Sequence, residues 1–249
     1  MKILSAAEKN ARIELAALFR LLHYYGMTDL ANQAVGARIK ENPEAWLVHP
    51  YGLFYEEITA SDLIKIDTNG KITSKKNDDL EDPSPGDINL ATWFFKNRSE
   101  INFYIHGHCE DVMAVSATEK GLLSATQSSV FLLYKIVYID YEFHEDEKYA
   151  KKFITTMGDK DIIITRNHGY YVLGRTAAEA FFSTYYLRQA GSVQLKAQKT
   201  GEKLHLIPQH QVDRSKKQMY AHNVYSFDGS REWKGLLRKL DREQPNYKH

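Results

Sequence analysis

Ile101-Asn102-Phe103-Tyr104-Ile105-His106-Gly107-His108 is an apolar run that ends in a pair of imidazoles. Short, β-branched and aromatic, it predicts a buried strand. Side chains two apart on a strand point to the same face, so His106 and His108 aim at one point. A second run, Ile162-Ile163-Ile164-Thr165, is closed in the same way by Arg166-Asn167-His168-Gly169, sixty residues after the first pair. Three imidazoles at strand ends suffice to hold a divalent metal and leave a position open for chemistry. The plainer alternative is three unrelated polar residues at strand ends. Cys109 beside the pair is either a metal neighbour or small packing, since the strand position after His108 faces away.

Outward from these runs, strands and helices interleave. Residues 5–26 carry apolar residues at three- and four-residue steps, with Gly26 as a helix stop. Trp46-Leu47-Val48-His49 predicts a short strand into the turn Pro50-Tyr51-Gly52. Leu63–Asp67 and Lys71–Thr73 predict a hairpin around Asn69-Gly70. Residues 74–86, polar with two prolines and several acids, are the candidate mobile loop. Helices are predicted at 88–98 and near 145–157, with a strand at 134–139 between them. A long helix follows from about 176 to 199, with Thr176 and Glu179 in a capping-box pattern. From about 202 the chain is a polar extension with a short helix, Trp233–Leu240. No repeat or linker divides it. The expectation is one α/β domain over residues 1–249: a three-layer α/β/α sandwich on a mixed sheet, its hairpin signals pointing to largely antiparallel pairing.

Composition narrows the function classes. The 249 residues are 43% hydrophobic, enough for a sizeable core, and the net charge of +1 gives no argument for nucleic acid or a bare membrane surface. No apolar run is long enough to span a bilayer, and the charged N-terminus lacks a signal-peptide core. A single cysteine excludes an internal disulfide framework, and a cytoplasmic protein is expected. His23, His49, His144, His205, His210, His222 and His249 lack ligand spacing and are read as solvated or structural. The sixteen Tyr and eleven Phe include Tyr170-Tyr171 after the third histidine and Trp93-Phe94-Phe95 leading toward the first. They either line a pocket for an aromatic or otherwise hydrophobic substrate, or serve as core and interface packing.

Four segments in order carry a family resemblance: Tyr51-Gly52-Leu53-Phe54-Tyr55-Glu56-Glu57-Ile58-Thr59-Ala60-Ser61-Asp62-Leu63, Ile105-His106-Gly107-His108, Asn167-His168-Gly169, and Gly174-Arg175-Thr176-Ala177-Ala178-Glu179-Ala180. Over residues 10 to 200 the chain resembles the class II aldolase/adducin family. Its tail, Trp233 to Tyr247, is similar to the adducin-like bacterial branch. The resemblance implies an α/β/α sandwich, usually in a homotetramer with sites at subunit interfaces. It also implies zinc on His106, His108 and His168, acting as a Lewis acid on a hydroxy-carbonyl substrate. Fe(II), manganese and cobalt suit the same donors.

The sequence departs from the family pattern in two places. Family aldolases carry an acid/base glutamate nineteen residues before the first histidine, a position held here by Asp87. Asp87 is either a shortened acid/base or the N-cap of the helix at 88–98. The family's phosphate cradle maps onto Gln33-Ala34-Val35-Gly36, Tyr51-Gly52 and Pro85-Gly86. Most of its side-chain donors are missing; Gly52 keeps the backbone of one turn, and Tyr51 fills the space of a phosphate. Arg38 either serves a substrate carboxylate or makes a surface or interface ion pair. The expected substrate is therefore a small molecule without phosphate, a hydroxy-carbonyl or carboxylic compound. Three functions follow: a metal-dependent lyase with Asp87 moving protons, a non-haem Fe(II) oxygenase or decarboxylase on the same ligands, or a non-catalytic adducin-like binding module.

Overall fold

Eight strands form one sheet in the order β4-β3-β2-β1-β5-β8-β7-β6. The computed structural model describes residues 4–142, 147–221 and 228–249. The first half runs α1 (Ala6–Tyr24), β1 (Ala34–Ile39), β2 (Asn42–Val48), β3 (Ile64–Asp67), β4 (Ile72–Ser74), α2 (Pro85–Asn97) and β5 (Phe103–Gly107). The second half runs α3 (Glu110–Ser116), α4 (Gln127–Leu132), β6 (Ile136–Ile139), α5 (Glu147–Met157), β7 (Ile162–Thr165), β8 (Gly169–Gly174), α6 (Ala177–Lys199), α7 (Gln209–Ala221) and α8 (Ser230–Glu243). Only β6 and β7 pair in parallel; every other neighbouring pair is antiparallel. The sandwich is thus the expected mixed, largely antiparallel one.

Strand alternation separates two cores. Phe103 and Ile105 of β5 join Val35, Leu47, Ile162, Ile164, Tyr170 and Val172 under α1, α3, α6 and α8. Tyr104 joins Trp46, Val48, Ile163, Tyr171 and Leu173 under α2 and α5, which contribute Phe94, Phe95, Phe153 and Met157. A fully buried side chain of this size stabilises the fold by about 1.5–3 kcal/mol. His106, two residues after Tyr104, faces the α2/α5 side, and that parity decides which face carries the site.

Several sequence expectations shift. The helix expected at 88–98 begins at Pro85 and is capped by the Ser84 hydroxyl, which accepts from the Asp87 N–H at 3.1 Å. Proline at the first helical position, with no N–H to satisfy, sets the start there. Asp87 is therefore the third residue of α2 and not its N-cap. The histidine strand stops at Gly107, so His108 lies just beyond it. Strands β1 and β8, which flank β5, were not foreseen. The strand expected at 134–139 opens with a 3-10 turn, Leu133–Lys135. Of the helix expected near 145–157, residues 145 and 146 lie outside the described residues. The segment 74–86 is crossed by Lys75–Asp82 and Lys76–Asp62 ion pairs, both at 2.8 Å.

The polar tail holds an unforeseen helix, α7, and folds back. Trp233, Leu240 and Tyr247 are buried, and the Tyr247 and His249 carbonyls accept from the Ala60 and Ser61 N–H groups. Thr176 caps α6 as expected, but Glu179 reaches past it to the Arg175 N–H at 2.9 Å. Among the described residues no helix is long and apolar enough to cross a membrane.

Candidate metal centre

His106, His108 and His168 come together at the ends of β5 and the β7–β8 hairpin. His106 is the last inward residue on its side of β5, paired across β8 with Tyr171, on whose ring it stacks at 4.3 Å and 13°. His108 is delivered by the turn into α3, whose N-cap is the buried Cys109. Cys109 packs in the opposite core and not in the cluster. His168 ends the three-residue turn between Thr165 and Gly169, which are paired across the hairpin. That turn needs a left-handed residue, supplied by Asn167 at φ 61°, a conformation asparagine tolerates. The backbone must also pass closely: a Cβ on Gly169 would lie 2.5 Å from the Gly107 carbonyl oxygen and 2.7 Å from His108 Cδ2.

The ligand atoms of the three rings lie within 4.8 Å of one another. His108 Nε2 is 3.1 Å from His106 Nε2 and 3.0 Å from His168 Nε2. On His106 and His108 the opposite nitrogens are engaged. His106 Nδ1 lies 3.0 Å from the Tyr170 carbonyl and His108 Nδ1 lies 3.1 Å from the Asp29 carboxylate. Both partners only accept, so both Nδ1 atoms are donors. Neutral rings in that tautomer turn Nε2 lone pairs toward one another, an arrangement that a cation between them relieves. Burial, reinforced by the two neighbouring imidazoles, pushes the His106 pKa well down; burial, then His108, lowers that of His168 to about 4. Nitrogens around a tetrahedral zinc lie roughly 3.3 Å apart, given bonds of about 2.0–2.1 Å. The donor set and its Nδ1 anchors fit such an ion.

Gln33, 3% exposed, buttresses this arrangement from the start of β1. With its amide oriented so that nitrogen donates to the Met27 carbonyl, its oxygen accepts from the His108 and Asp29 N–H groups at 3.3 and 3.1 Å. One side chain thus ties the second imidazole to its carboxylate anchor.

A cavity of about 620 Å³ opens over the three imidazoles. Asp87 lines it, with Ser84, Asn32 and Asn89. Behind Asp87 lies His49, whose Nε2 is 3.9 Å from Asp87 Oδ2. His49 is fully buried between the rings of Phe19 and Tyr55, neither ring nitrogen has a hydrogen-bond partner among the described residues, and burial lowers its pKa to about 4. The Tyr104 hydroxyl donates to the Asp87 carbonyl at 3.3 Å.

The remaining sequence-predicted residues separate. Tyr51 reaches the cavity wall with 42% of its surface exposed. Gly52, at φ +88°, stands beside the Glu81 carboxylate and does not line the cavity. Arg38 is not brought to the site. Its guanidinium is buried and donates to the carbonyls of Ile101, Pro43, Phe95 and Arg98, so it holds β1 to α2; within the chain no ion pair of Arg38 is found among the described residues. Sequence reasoning missed Asp29, Gln33 and the place of His49. Asp29 and Gln33 sit in an irregular loop with no periodic signal, whereas His49 ends a strand that was foreseen. His144 and His222 lie outside the described residues.

A family model described as the class II aldolase and adducin N-terminal domain matches residues 13–195. That span holds the three histidines and Asp87 and leaves out α7 and α8. A Caulobacter vibrioides protein named "Putative aldolase class 2 protein" is 34% identical over 247 residues, covering 98% of this chain and 93% of its own length. Mouse gamma-adducin is 31% identical over 192 residues, which are 76% of this chain and 27% of the adducin. A crystal structure of an aldolase II superfamily protein from Pseudomonas syringae has a TM-score of 0.91 at 29% identity, covering 99% of this chain and 98% of that one.

Proposed function

The chain belongs to the class II aldolase and adducin family, and from its site we propose that it is a metal-dependent lyase that makes or breaks a C–C bond next to a carbonyl. The observation that carries this reading is the convergence of three Nε2 atoms, two of them on rings, His106 and His108, whose opposite nitrogens are already anchored. A divalent ion held there, zinc first among the candidates, would supply Lewis-acid stabilisation of negative charge on the substrate's oxygens. His106, His108 and His168 would hold it, with the Tyr170 carbonyl and Asp29 fixing ring orientation. Asp87, on the cavity wall, accepts and returns the proton that moves. Gln33 and Asp29 keep the ligands in place between turnovers. Tyr51 bounds the substrate at the mouth. The substrate is a hydroxy-carbonyl or carboxylic compound without phosphate, because the side-chain donors of a phosphate cradle are missing and no lysine or arginine lines the cavity among the described residues. A homotetramer is the expected assembly.

Hydrogen exchange in D2O tests this reading. Dihydroxyacetone, hydroxyacetone and 2-hydroxyacetophenone serve as probes, and loss of their α-proton signals is followed by NMR. Metal-loaded protein should exchange at least one of them well above the metal-free control, and Asp87→Asn should slow that exchange about 100-fold or more. No exchange above control in any probe contradicts a lyase and favours a binding module.

A further inference from the structure

The cavity has two unlike halves. One is polar: the three imidazoles, Asp87 and the amides of Asn32 and Asn89. The other is apolar, and its residues are large. Leu90 and Trp93, one turn apart on α2, line the cavity, Leu90 also packing against the core that Ala91, Phe94 and Phe95 of the same helix fill. Trp93 meets Tyr149 of α5 at 6.0 Å and 61°, forming an apolar corner. Tyr141 extends that surface to the ligands, its ring edge-on to His168 at 5.2 Å, with 47% of the residue exposed.

A helix face outside the core is ordinarily polar, so Trp93, half-buried at a cavity wall and not part of the core cluster, calls for a reason. Charge gives a second constraint. Asp87 and Glu142 are the ionisable side chains on the wall besides the histidines and tyrosines; Lys152 pairs with Glu142, and among the described residues no lysine or arginine is itself part of the wall. An anionic tail would meet acids and rings, whereas a neutral ring would meet ring faces and edges, the packing that aromatic groups favour.

We propose that this site selects an uncharged, aryl-bearing hydroxy-carbonyl substrate, its oxygens toward the three histidines and its ring in the corner made by Leu90, Trp93 and Tyr149. The proposal rests on the metal-centre reading and narrows it.

Three hydroxamates share one chelating head and differ only in the tail: acetohydroxamate, benzohydroxamate and phosphoglycolohydroxamate. Their Kd values are measured by calorimetry on metal-loaded and metal-free protein. Benzohydroxamate should bind the loaded protein at least tenfold tighter than acetohydroxamate, and phosphoglycolohydroxamate should bind most weakly. Trp93→Ala should bring benzohydroxamate to within about threefold of acetohydroxamate while leaving acetohydroxamate unchanged, which also shows that the variant is folded. Tyr149→Leu should reduce the same preference without removing a wall helix side chain from α2. Equal affinities of the aceto and benzo compounds in the loaded wild type overturn the aryl proposal alone. So does a tightest Kd for the phosphorylated compound, or a changed oligomeric state of Trp93→Ala with the benzo preference intact. Binding that ignores the metal for all three compounds overturns the metal centre itself.

Discussion

Asp29 and His108 illustrate how much of a metal site lies outside its ligands. The Asp29 carboxylate, 3.1 Å from His108 Nδ1, decides which ring nitrogen carries the proton and therefore which one turns to the cluster. Asp29→Asn keeps the shape and removes the charge. It should weaken metal affinity about 10- to 100-fold, measured by competition with a chromophoric chelator. His49 makes a separate prediction. Its ordinary pKa is 6.5, and burial lowers it to about 4 in the fold. Between those values the unfolded chain binds a proton that the folded chain refuses. Stability is therefore full above about pH 6.5 and falls as the pH drops toward 4, by roughly 3 kcal/mol if nothing else responds. His49→Phe preserves the packing against Phe19 and Tyr55 and should flatten that part of the profile. Thermal melts of both proteins between pH 7 and 4.5 check it, and parallel curves would contradict it.

Among the elements, the β7–β8 hairpin carries the tightest geometry. Gly169→Ala would push a Cβ into the Gly107 carbonyl and the His108 ring, and neither can yield without moving a ligand. We expect a loss of about 1–3 kcal/mol in urea unfolding together with weakened metal retention. A variant that loses stability but keeps full metal affinity would separate the hairpin from the site. At this scale the sequence was legible where periodicity is strong. Helix α1, the β3–β4 hairpin and α6 with its Thr176 cap follow from patterns and cap chemistry. Strands β1 and β8 did not, because they are buried on both faces and so lack polar alternation. The helix start at Pro85 was hidden by a loop-like composition, which left a cap as one of two readings of Asp87. His108 reached the right point for an incomplete reason: its strand ends one residue earlier, and the following turn, held by Gln33, completes the approach.

For the whole molecule, both halves of the chain meet at the strand ends in the middle of the sheet to build the cavity. The histidine set was legible from spacing and resemblance, and Trp93 and Tyr171 were among the aromatics offered for a pocket wall; Tyr141 and Tyr149 were not, since they come from another part of the chain. Light scattering tests the expected homotetramer, and a monomer at micromolar concentration would contradict it. An ion that binds only the folded chain should also raise its stability. About 2.7 kcal/mol is expected at a free concentration 100 times its Kd, seen as a higher melting temperature that a chelator reverses. The central claim, that His106, His108 and His168 form a metal centre, is tested most directly by elemental analysis of protein purified without added metal, alongside His108→Ala. The expected result is close to one divalent transition-metal ion per wild-type chain and almost none in the variant; a metal-free wild type that also fails to take up zinc, or full occupancy in His108→Ala, would contradict it.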